Sequence, residues 1–432
     1  MKKVLIISPN FPPVNAADMH RVRQSLPYFG EMGWDATVVA VEHEFVEMGL
    51  DENLLMTIPG DADIVRLKAF RPSLTRKFGL GNLGLRALWY LYRWGEKNIR
   101  KGKYDLVFFS TTAFPVMVLG RIWKRKFGIP FIVDMQDPWR NDYYLDVPRK
   151  ERPPKFQVAY RLDKWMEAFT MRKVDGIISV SESYPEVLRS RYPEITSVPS
   201  ETIPFGGASI DFGILEKTRL INTVYSRDDG KINIVYIGRG GHDMATALNA
   251  MFWSLKSGLD KEPGLYGRIR MHFIGTSYAR DGYGVKTIEP LAKSHGVGDM
   301  VNEITDRLPY FEALNLLKQA DMLFIPGSQD SQYTASKLYP YILANRPLMA
   351  IFHQDSSVVE IIQQTRAGEV VTFNEGIDNM ELSQNVSKVF DRMLRQLPFT
   401  PGTDWEAFKP YTAREMTRRQ TGFFNKVTGQ QA

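Results

Sequence analysis

The sequence predicts an α/β fold with two domains, each built around a wound parallel sheet. Short strand-like apolar runs alternate with longer amphipathic stretches along both halves of the chain, which is the pattern of repeated βα units. The chain has 432 residues, more than one hydrophobic core usually supports. Hydrophobic residues make up 44% and charged residues 24%, as in folded globular domains.

Five strands are predicted in each half of the chain. In the first half they cover residues 3–8, 36–41, 105–110, 131–135 and 176–181. In the second half they cover residues 232–237, 270–274, 322–325, 348–352 and 369–373. Proline, glycine and charged residues replace the periodic pattern between Pro193 and Gly230, which indicates a domain boundary. We therefore assign residues 1–210 to an N-terminal domain, 211–400 to a C-terminal domain and 401–432 to a helical segment that returns to the N-terminal domain.

Composition excludes several classes of protein. The chain has no cysteine, which removes disulfides and thiol chemistry. The apolar run after Met1 stops at Ser8, too short for a signal peptide or a membrane span, and no other stretch approaches eighteen apolar residues. The six histidines show no metal-ligand spacing, so no metal site is expected. A cytoplasmic location follows as the expectation.

Positive charge is concentrated in residues 71–103, which hold nine basic residues and one acidic residue. Aromatic and leucine side chains accompany them, as in helices that lie at a membrane interface. The segment is therefore a candidate contact with an anionic membrane, which would place the protein peripherally on the inner face. The alternative is an amphipathic helix packed on the sheet, with a solvated basic edge. No motif for reading nucleic acid is present, and no nucleic-acid partner is expected.

The first candidate site is the loop from Gly238 to Asp243, between a predicted strand and a predicted helix. Gly238, Gly240 and Gly241 let backbone N–H groups approach an anion, and the helix N-terminus adds positive potential. Arg239 supplies a fixed charge. The loop is a candidate cradle for a diphosphate, and a glycine-rich turn without a ligand is the alternative.

A second candidate anion site lies downstream at Ser336 and Lys337. Pro340 is tolerated only near the start of a helix, so a helix is expected to begin close to Ser336. The backbone amides from Ser336 through Leu338 to Tyr339 would then lack partners within the helix. Lys337 adds a charge beside them, which suits the departing phosphate of a sugar nucleotide.

This second site resembles the donor-binding segment of the family-four glycosyltransferases. It reads PGSQDSQYTASKLYPYILANRP from Pro326, where the family typically reads SKLYEYLAAGKP. Other matches follow in the family's order: PP at 12–13, IVDMQDPW at 132–139, IISVS at 177–181, YIGR at 236–239, FIG at 273–275 and ADMLFIP at 320–326. The resemblance therefore covers nearly the whole chain.

The resemblance implies the GT-B architecture, in which two Rossmann-like domains face a cleft. The donor is then expected in the C-terminal domain and the acceptor in the N-terminal domain. The implied reaction transfers a sugar from a nucleoside-diphosphate sugar to a hydroxyl with retention, in polysaccharide or glycoconjugate synthesis. The acceptor would be a glycan, a lipid-linked compound or another hydroxyl compound. The nucleotide sugar is a co-substrate, and no cofactor or metal is implied.

Two departures from the family pattern concern groups that hold the donor. The run from Asn15 to Ala17 stands where members usually carry a Gly-Gly pair. The family's two glutamates, separated by seven residues, fall on Gln332 and Pro340, and the second usually binds the donor ribose. Two alternatives therefore stay open: a nucleotide-sugar epimerase of the same architecture, and a catalytically silent subunit that binds a partner enzyme or a glycan.

The candidate acceptor site follows the fourth predicted strand. Asp137 lies at the carboxyl end of that strand, where ligands of wound sheets collect, and could orient or deprotonate the acceptor hydroxyl. Trp139 is in the same loop, and Asn15, His20 and Arg21 in the first βα connection are expected to face the same ligand. The alternative for Asp137 is a structural cap of the following turn.

Three residues are predicted to act in catalysis. Negative charge builds on the diphosphate as the glycosidic bond breaks, and Arg239 and Lys337 would stabilise it. Asp137 would serve the acceptor hydroxyl.

Overall fold

The computed structural model describes residues 1–76, 81–140, 142, 145, 148–152, 156–227, 229–279, 282–329 and 337–429. Tertiary contacts divide the chain into two units. Unit 1 contains Met1–Gly206 and Ala413–Ala432, and unit 2 contains Gly207–Thr412. The sequence places the boundary slightly later, at residue 210. Residues 401–412, assigned from the sequence to the returning segment, lie in unit 2.

Unit 1 is built on a seven-stranded parallel sheet. Its strands are β1 Lys2–Ile7, β2 Trp34–Val41, β3 Asp63–Leu67, β4 Leu106–Ser110, β5 Phe131–Met135, β6 Gly176–Ser179 and β7 Ser200–Thr202. Their spatial order is β3-β2-β1-β4-β5-β6-β7. The two edge strands, β3 and β7, are not among the predicted strands, because β3 has no fully buried residue and β7 consists of three polar residues.

Six described helices connect these strands. They are α1 His20–Ser25, α2 Pro72–Thr75, α3 Leu83–Gly102, α4 Val118–Phe127, α5 Phe156–Met171 and α6 Ser183–Arg191. The helices α3, α4, α5 and α6 bury side chains in one hydrophobic core with the strands. α3 and α4 approach closely at Gly95, where a Cβ would lie 2.3 Å from the Trp123 ring. Glycine at this position lets the two helices pack side by side.

Unit 2 is built on a six-stranded parallel sheet. Its strands are β8 Ile232–Ile237, β9 Ile269–Ile274, β10 Val301–Ile304, β11 Met322–Pro326, β12 Leu348–His353 and β13 Glu369–Phe373. Their spatial order is β10-β9-β8-β11-β12-β13. β10 was missed in the sequence because two of its four residues, Asn302 and Glu303, are polar.

The described helices of unit 2 lie between and after these strands. They are α7 Ser209–Leu215, α8 Ala245–Lys261, α9 Pro263–Tyr266, α10 Ile288–Ser294, α11 Tyr310–Gln319, α12 Leu338–Ala344, α13 Ser357–Thr365, α14 Asn379–Gln396 and α15 Trp405–Phe408. With unit 1, this confirms the predicted fold class of two Rossmann-like parallel-sheet domains.

The last helix, α16 Ala413–Val427, belongs to unit 1. The Phe424 ring meets the Trp34 ring edge-on at 5.4 Å and lies 5.0 Å from the Phe108 ring, and its side chain is fully buried. A Cβ on Gly176 would lie 2.8 Å from both Phe423 and Val427 of α16. The helix therefore completes the core on the side of the sheet where α1 also lies.

The basic helix α3 packs on the sheet through its apolar side, as the second interpretation of residues 71–103 holds. Leu91 is fully buried, and Arg86 is buried with its guanidinium donating to the carbonyl oxygens of Phe45 and Phe70. Arg86 is therefore not a surface charge. Trp89 remains exposed. In the part of the chain that the structure describes, no helix combines the length and apolar character needed to span a bilayer.

Candidate functional site

The glycine-rich loop of unit 2 follows β8, at the point where the strand order reverses between β8 and β11. Ligands of wound sheets bind at such switch points, beyond the carboxyl ends of the strands. The N–H of Gly240 donates to the carbonyl oxygen of Thr276 at 2.8 Å, which ties the loop to the connection after β9. The predicted Gly238, Gly240 and Gly241 thus lie at the ligand-binding edge.

Lys337 lies beside this loop. A Cβ on Gly238 would come within 2.6 Å of Tyr236 Oη and 2.8 Å of Lys337 Nζ, so the position has room only for glycine. Lys337 has no hydrogen-bond or ion-pair partner among the residues that the structure describes. Burial, with the charges of Arg239 and Arg307, lowers the pKa of Lys337 to about 8. An anion bound here would supply the missing negative charge.

Arg239 is held differently from Lys337. Its Nη1 and Nη2 atoms lie 2.9 and 2.6 Å from the two carboxylate oxygens of Asp243, which is a bidentate ion pair. The hydrogen bond from Arg239 lowers the pKa of Asp243 below its ordinary value. The charge of Arg239 is therefore compensated within the loop. The two cations therefore differ, because the charge of Lys337 lacks such a counterion among the described residues.

The other residues predicted to bind the donor occupy different surroundings. Leu338 and Tyr339 are buried side chains, and the Tyr339 ring stacks on Tyr411 at a centroid distance of 5.7 Å. Their side chains therefore belong to the core of unit 2, and only their backbone is placed at the start of α12. Ser336 and Gln332 lie outside the described residues.

Arg307 is a candidate that sequence reasoning missed. It follows β10, is exposed, and lies with its guanidinium 4.7 Å from the Tyr278 ring centroid. Its charge is close enough to Lys337 to lower that pKa. Its position after a strand could have identified Arg307, because residues that follow parallel strands lie at the same edge of the sheet. This step was not possible from the sequence, since the short polar strand β10 was not recognised.

Glu303 of β10 holds the neighbouring connection in place. This buried carboxylate accepts hydrogen bonds from Thr276 Oγ1 at 2.8 Å and from the amides of Ile288 and Glu289 at 3.0 and 2.8 Å. It therefore caps α10 from a neighbouring strand. Because Thr276 also accepts from Gly240, Glu303 positions the glycine-rich loop indirectly.

In unit 1, Asp137 is exposed and follows β5. It forms no hydrogen bond or ion pair with any described residue, so the structure shows no turn cap by its side chain. Desolvation, followed by the charge of Asp18, raises the pKa of Asp137. Burial, followed by the charge of Asp137, raises the pKa of Tyr184 on α6. A carboxylate with these properties can accept or donate a proton.

Asp18 is a second residue that the sequence did not reveal. It is buried, and its carboxylate accepts from Asn10 Nδ2 at 3.1 Å, Thr111 Oγ1 at 3.0 Å and the amide of Thr112 at 2.9 Å. Asp18 thereby joins the connection after β1 to the connection after β4. It sets both the shape and the negative potential of the region around Asp137.

Arg21 lies inside unit 1 and does not reach the surface. Its side chain is completely buried, with Nε 2.7 Å from Asp134 Oδ2, Nη2 2.6 Å from the Ile203 carbonyl oxygen, and its guanidinium 5.1 Å from the Phe205 ring centroid. Asp134 also accepts from Gln136 Nε2 at 2.7 Å. Sequence reasoning expected Arg21 to contact the acceptor, whereas the structure gives it the position of a buried anchor beneath the site.

The remaining predicted acceptor residues differ in exposure. Asn15 and His20 are half-buried, and burial together with the charge of Arg23 lowers the pKa of His20 well below its ordinary value. Trp139 is buried, stacks on Phe114 and donates from Nε1 to Asp163 at 3.3 Å. Its indole supports the loop that carries Asp137. No group of three or more carboxylate and histidine side chains suited to a metal ion occurs within the described ranges.

Comparison with protein-family models gives a match that lies within unit 1. Residues 20–204 match the family model of the glycosyl transferase 4-like domain. The matched segment contains His20, Arg21, Asp137 and Trp139. A comparison with curated proteins gives no match.

Solved structures resemble the chain over its full length. The sucrose-phosphate synthase of Thermosynechococcus elongatus has a TM-score of 0.55 at 11% identity and covers 99% of each chain. A glycosyltransferase of Rickettsia africae has a TM-score of 0.57 at 11% identity, over 100% of this chain and 99% of its own. HepE of Anabaena, solved in complex with UDP, has a TM-score of 0.54 at 12% identity, over 99% of this chain and 100% of its own. The chain shares the two-sheet GT-B fold of these proteins.

Proposed function

We propose that the chain is a glycosyltransferase that moves a sugar from a nucleoside-diphosphate sugar to a hydroxyl acceptor, with retention of anomeric configuration. The observation that carries the proposal is the Lys337 ammonium, which lies without a described counterion against Gly238 at the ligand-binding edge of unit 2. The glycosyl transferase 4-like match in unit 1 supports the same chemistry. HepE, which has this fold, was solved with UDP.

The donor diphosphate binds unit 2 in this proposal. Lys337 provides the charge that is not compensated by a described carboxylate, and the glycine-rich loop provides close approach of the backbone. Arg307 adds a second, exposed charge from the connection after β10. The Arg239–Asp243 ion pair fixes the shape of the loop. When the donor binds, Arg239 gives up part of its hydrogen bonding to Asp243 and donates to the ligand instead.

In the proposed reaction, this placement of charge stabilises the leaving diphosphate. The bond between the anomeric carbon and the β-phosphate oxygen breaks, and its electron pair stays on the diphosphate. Lys337 stabilises this growing charge, which is largest in the transition state. The acceptor oxygen bonds to the anomeric carbon on the same face, and its proton passes to the departing phosphate oxygen. The products are a glycoside and a nucleoside diphosphate.

Asp137 serves the acceptor side. An exposed carboxylate orients an acceptor hydroxyl by accepting its hydrogen bond. The leaving phosphate takes the proton, so Asp137 acts by orientation and does not have to be a strong base. The acceptor is a glycan, a lipid-linked compound or another hydroxyl compound, in polysaccharide or glycoconjugate synthesis. No metal or cofactor takes part, and the protein acts in the cytoplasm, at the inner face of the membrane.

Ligand-dependent stability gives the direct test. A ligand that binds only the folded state raises the melting temperature, so UDP, GDP, ADP and their sugars are compared by thermal shift. We expect one nucleoside diphosphate to stabilise the wild type and not the Lys337→Ala variant. Slow hydrolysis of the matching sugar nucleotide would then identify an enzyme. Stabilisation without hydrolysis or transfer would instead support the silent binding subunit, and interconversion of two sugar nucleotides the epimerase.

A further inference from the structure

The outer helices of unit 1 form a strongly basic surface. The helices α3, α4 and α5 contain eleven basic and three acidic residues, a net charge of +8, whereas the whole chain carries +6. Two of the three acidic residues add little negative charge to the surface, because Glu167 is buried and Glu96 forms an ion pair with Lys126. α4 packs against both α3 and α5, so the charges belong to one layer.

Most of this charge faces solvent. Seven basic side chains of the three helices are exposed and have no carboxylate partner within ion-pair distance in the described ranges: Arg93, Lys97, Arg100, Lys101, Arg125, Arg161 and Lys164. Unpaired like charges repel one another, which costs stability unless a polyanion covers them. The surface therefore has the electrostatic character of a binding site for a large, negatively charged partner.

The helix α5 adds an apolar stripe to this surface. Val158, Leu162 and Trp165 are 72%, 37% and 61% exposed, and their spacing places them on one side of the helix. The opposite side buries Glu167 and Met171 in unit 1. An exposed valine, leucine and tryptophan in a row are not explained by folding of unit 1, because its core is filled from the other side.

The stripe and the basic residues are physically connected. Trp165 stacks on Phe169 at 5.5 Å, and the Arg121 guanidinium of α4 lies 4.3 Å from the same Phe169 ring. At the other end of the layer, Arg93 lies 5.8 Å from the exposed Trp89 ring. Tryptophan beside arginine and lysine at both ends of one layer is typical of proteins that bind the membrane interface.

We propose that the outer surface of α3, α4 and α5 binds an anionic lipid bilayer, with Leu162 and Trp165 inserted among the headgroups. Several apolar residues of α3, among them Leu85 and Trp94, pack against the core and cannot insert. The structure thus assigns insertion to α5, which the sequence did not single out, and electrostatic attraction to the exposed basic residues of all three helices. The surface binds vesicles whether or not the chain transfers sugar.

A bilayer fits these observations better than other polyanions. The basic residues are spread over three helices, one of which is about 30 Å long, so the partner must be broad and diffusely charged. A nucleic-acid backbone presents no apolar layer for Val158, Leu162 and Trp165. An acidic protein would have to supply both broad charge and an apolar groove. Binding that depends on charge alone is distinguished below by comparing vesicles with heparin.

Flotation of the full chain with vesicles tests the proposal. Wild type should float with phosphatidylcholine vesicles that contain 30% phosphatidylglycerol, remain below pure phosphatidylcholine vesicles, and dissociate as salt is raised. Arg93→Glu with Lys97→Glu and Arg161→Glu should weaken binding roughly 100-fold. The matched control reverses three exposed basic residues of unit 2, Lys217, Arg219 and Lys388, and should bind like wild type. Melting temperatures establish that all variants are folded.

Insertion is tested separately. Trp165→Ala should weaken vesicle binding roughly tenfold, whereas Trp405→Ala, an exposed tryptophan of unit 2, should not. Tryptophan fluorescence of the wild type should shift to the blue on binding, and this shift should be lost in the Trp165 variant. Absence of flotation, equal flotation of the two triple variants, or binding to heparin that matches vesicle binding and ignores Trp165→Ala would each overturn the proposal.

Discussion

Arg239 and Asp243 neutralise each other across the glycine-rich loop, with Nη2 and Oδ2 2.6 Å apart. Lys337 on the far side of Gly238 has no such partner among the described residues. Arg239 and Lys337, the two cations of the predicted diphosphate site, therefore differ in how much of their charge is available to a ligand. The Asp243 carboxylate compensates the charge of Arg239, whereas no described carboxylate compensates that of Lys337. Substitutions at the two positions should therefore have different effects.

Lys337→Ala should reduce transfer on the order of a hundredfold, or about 3 kcal/mol in the barrier, because it removes the uncompensated charge beside the leaving group. Arg239→Ala should cost clearly less, since it also releases Asp243. Rates of transfer and dissociation constants for the nucleoside diphosphate measure both effects. The exposed Lys388→Ala serves as control. If the two alanine variants lose equal activity, the ion pair with Asp243 does not reduce the contribution of Arg239 to transfer.

Donor binding should weaken as pH rises above about 8, where Lys337 loses its charge in the ligand-free protein. Binding of a phosphate requires the charged form, so affinity should fall roughly tenfold per pH unit until the pKa of the complex is reached. In the ligand-free protein, the free energy of unfolding should change with pH in the opposite direction to donor affinity. The folded pKa lies below the ordinary 10.5, so the free energy of unfolding should rise with pH between about 8 and 10.5. Lys337→Arg should bind with no such pH dependence, and an unchanged slope would show that another group titrates.

Asp137→Asn should lower transfer roughly 100-fold while leaving nucleotide affinity unchanged, because the carboxylate acts on the acceptor side alone. The pKa of Asp137 is raised, so wild-type activity should decline with falling pH above the range where carboxylates ordinarily titrate. The asparagine variant should lack this acidic limb. Parallel losses of transfer and nucleotide affinity would point to a folding defect instead.

Gly238→Ala should displace Lys337, since the new methyl group would lie 2.8 Å from its Nζ atom. The Lys337 side chain can move, whereas the hydroxyl of the buried Tyr236 lies 2.6 Å away and must also shift, so the variant should be less stable than the wild type. Its nucleotide affinity should fall roughly tenfold. Gly213→Ala is the matched control, because nothing lies within 4 Å of its Cβ position and it occupies α7. That control should be neutral or stabilising by about 0.5 to 1 kcal/mol. Normal nucleotide binding by Gly238→Ala would remove Lys337 from the phosphate site.

Arg21→Met should destabilise unit 1 by about 3 to 5 kcal/mol, because it leaves the Asp134 carboxylate buried without its cation. Combining it with Asp134→Leu should restore more than half of the loss, since the unpaired charge is then gone. Urea unfolding measures both variants. An Arg21→Met protein of normal stability that fails only in acceptor binding would mean that Arg21 reaches the ligand after all.

The sequence supports the fold more fully than the site. Ten strands are visible as apolar runs, whereas β3 has no buried residue and β7 and β10 are short and contain polar residues. Loss of β10 from the prediction concealed Arg307. Asp18 was concealed for another reason, because its hydrogen bonds join residues 93 and 94 positions apart. A separation of 113 residues likewise hides the burial of Arg21 against Asp134.

Local spacing also failed to reveal the Arg239–Asp243 ion pair. Residues four apart meet on a helix, but α8 begins only at Ala245, so their contact depends on the conformation of the preceding loop. Gly238 directly follows β8 and Lys337 directly precedes α12, and both positions were predictable as parts of connections at the carboxyl edge of the sheet. Their closeness in the structure was not, because it depends on the order in which the strands pair.

The return of α16 to unit 1 has a consequence for synthesis of the protein. All 206 residues of unit 2 are translated between the strands of unit 1 and the helix that supplies Phe424 to its core. At about 5 to 20 residues per second, the ribosome needs roughly 10 to 40 seconds for that segment. During this interval Trp34 and Phe108 lack their aromatic partner. Unit 2 can fold before unit 1 is finished, so the domain that starts the chain is the last to reach its native core.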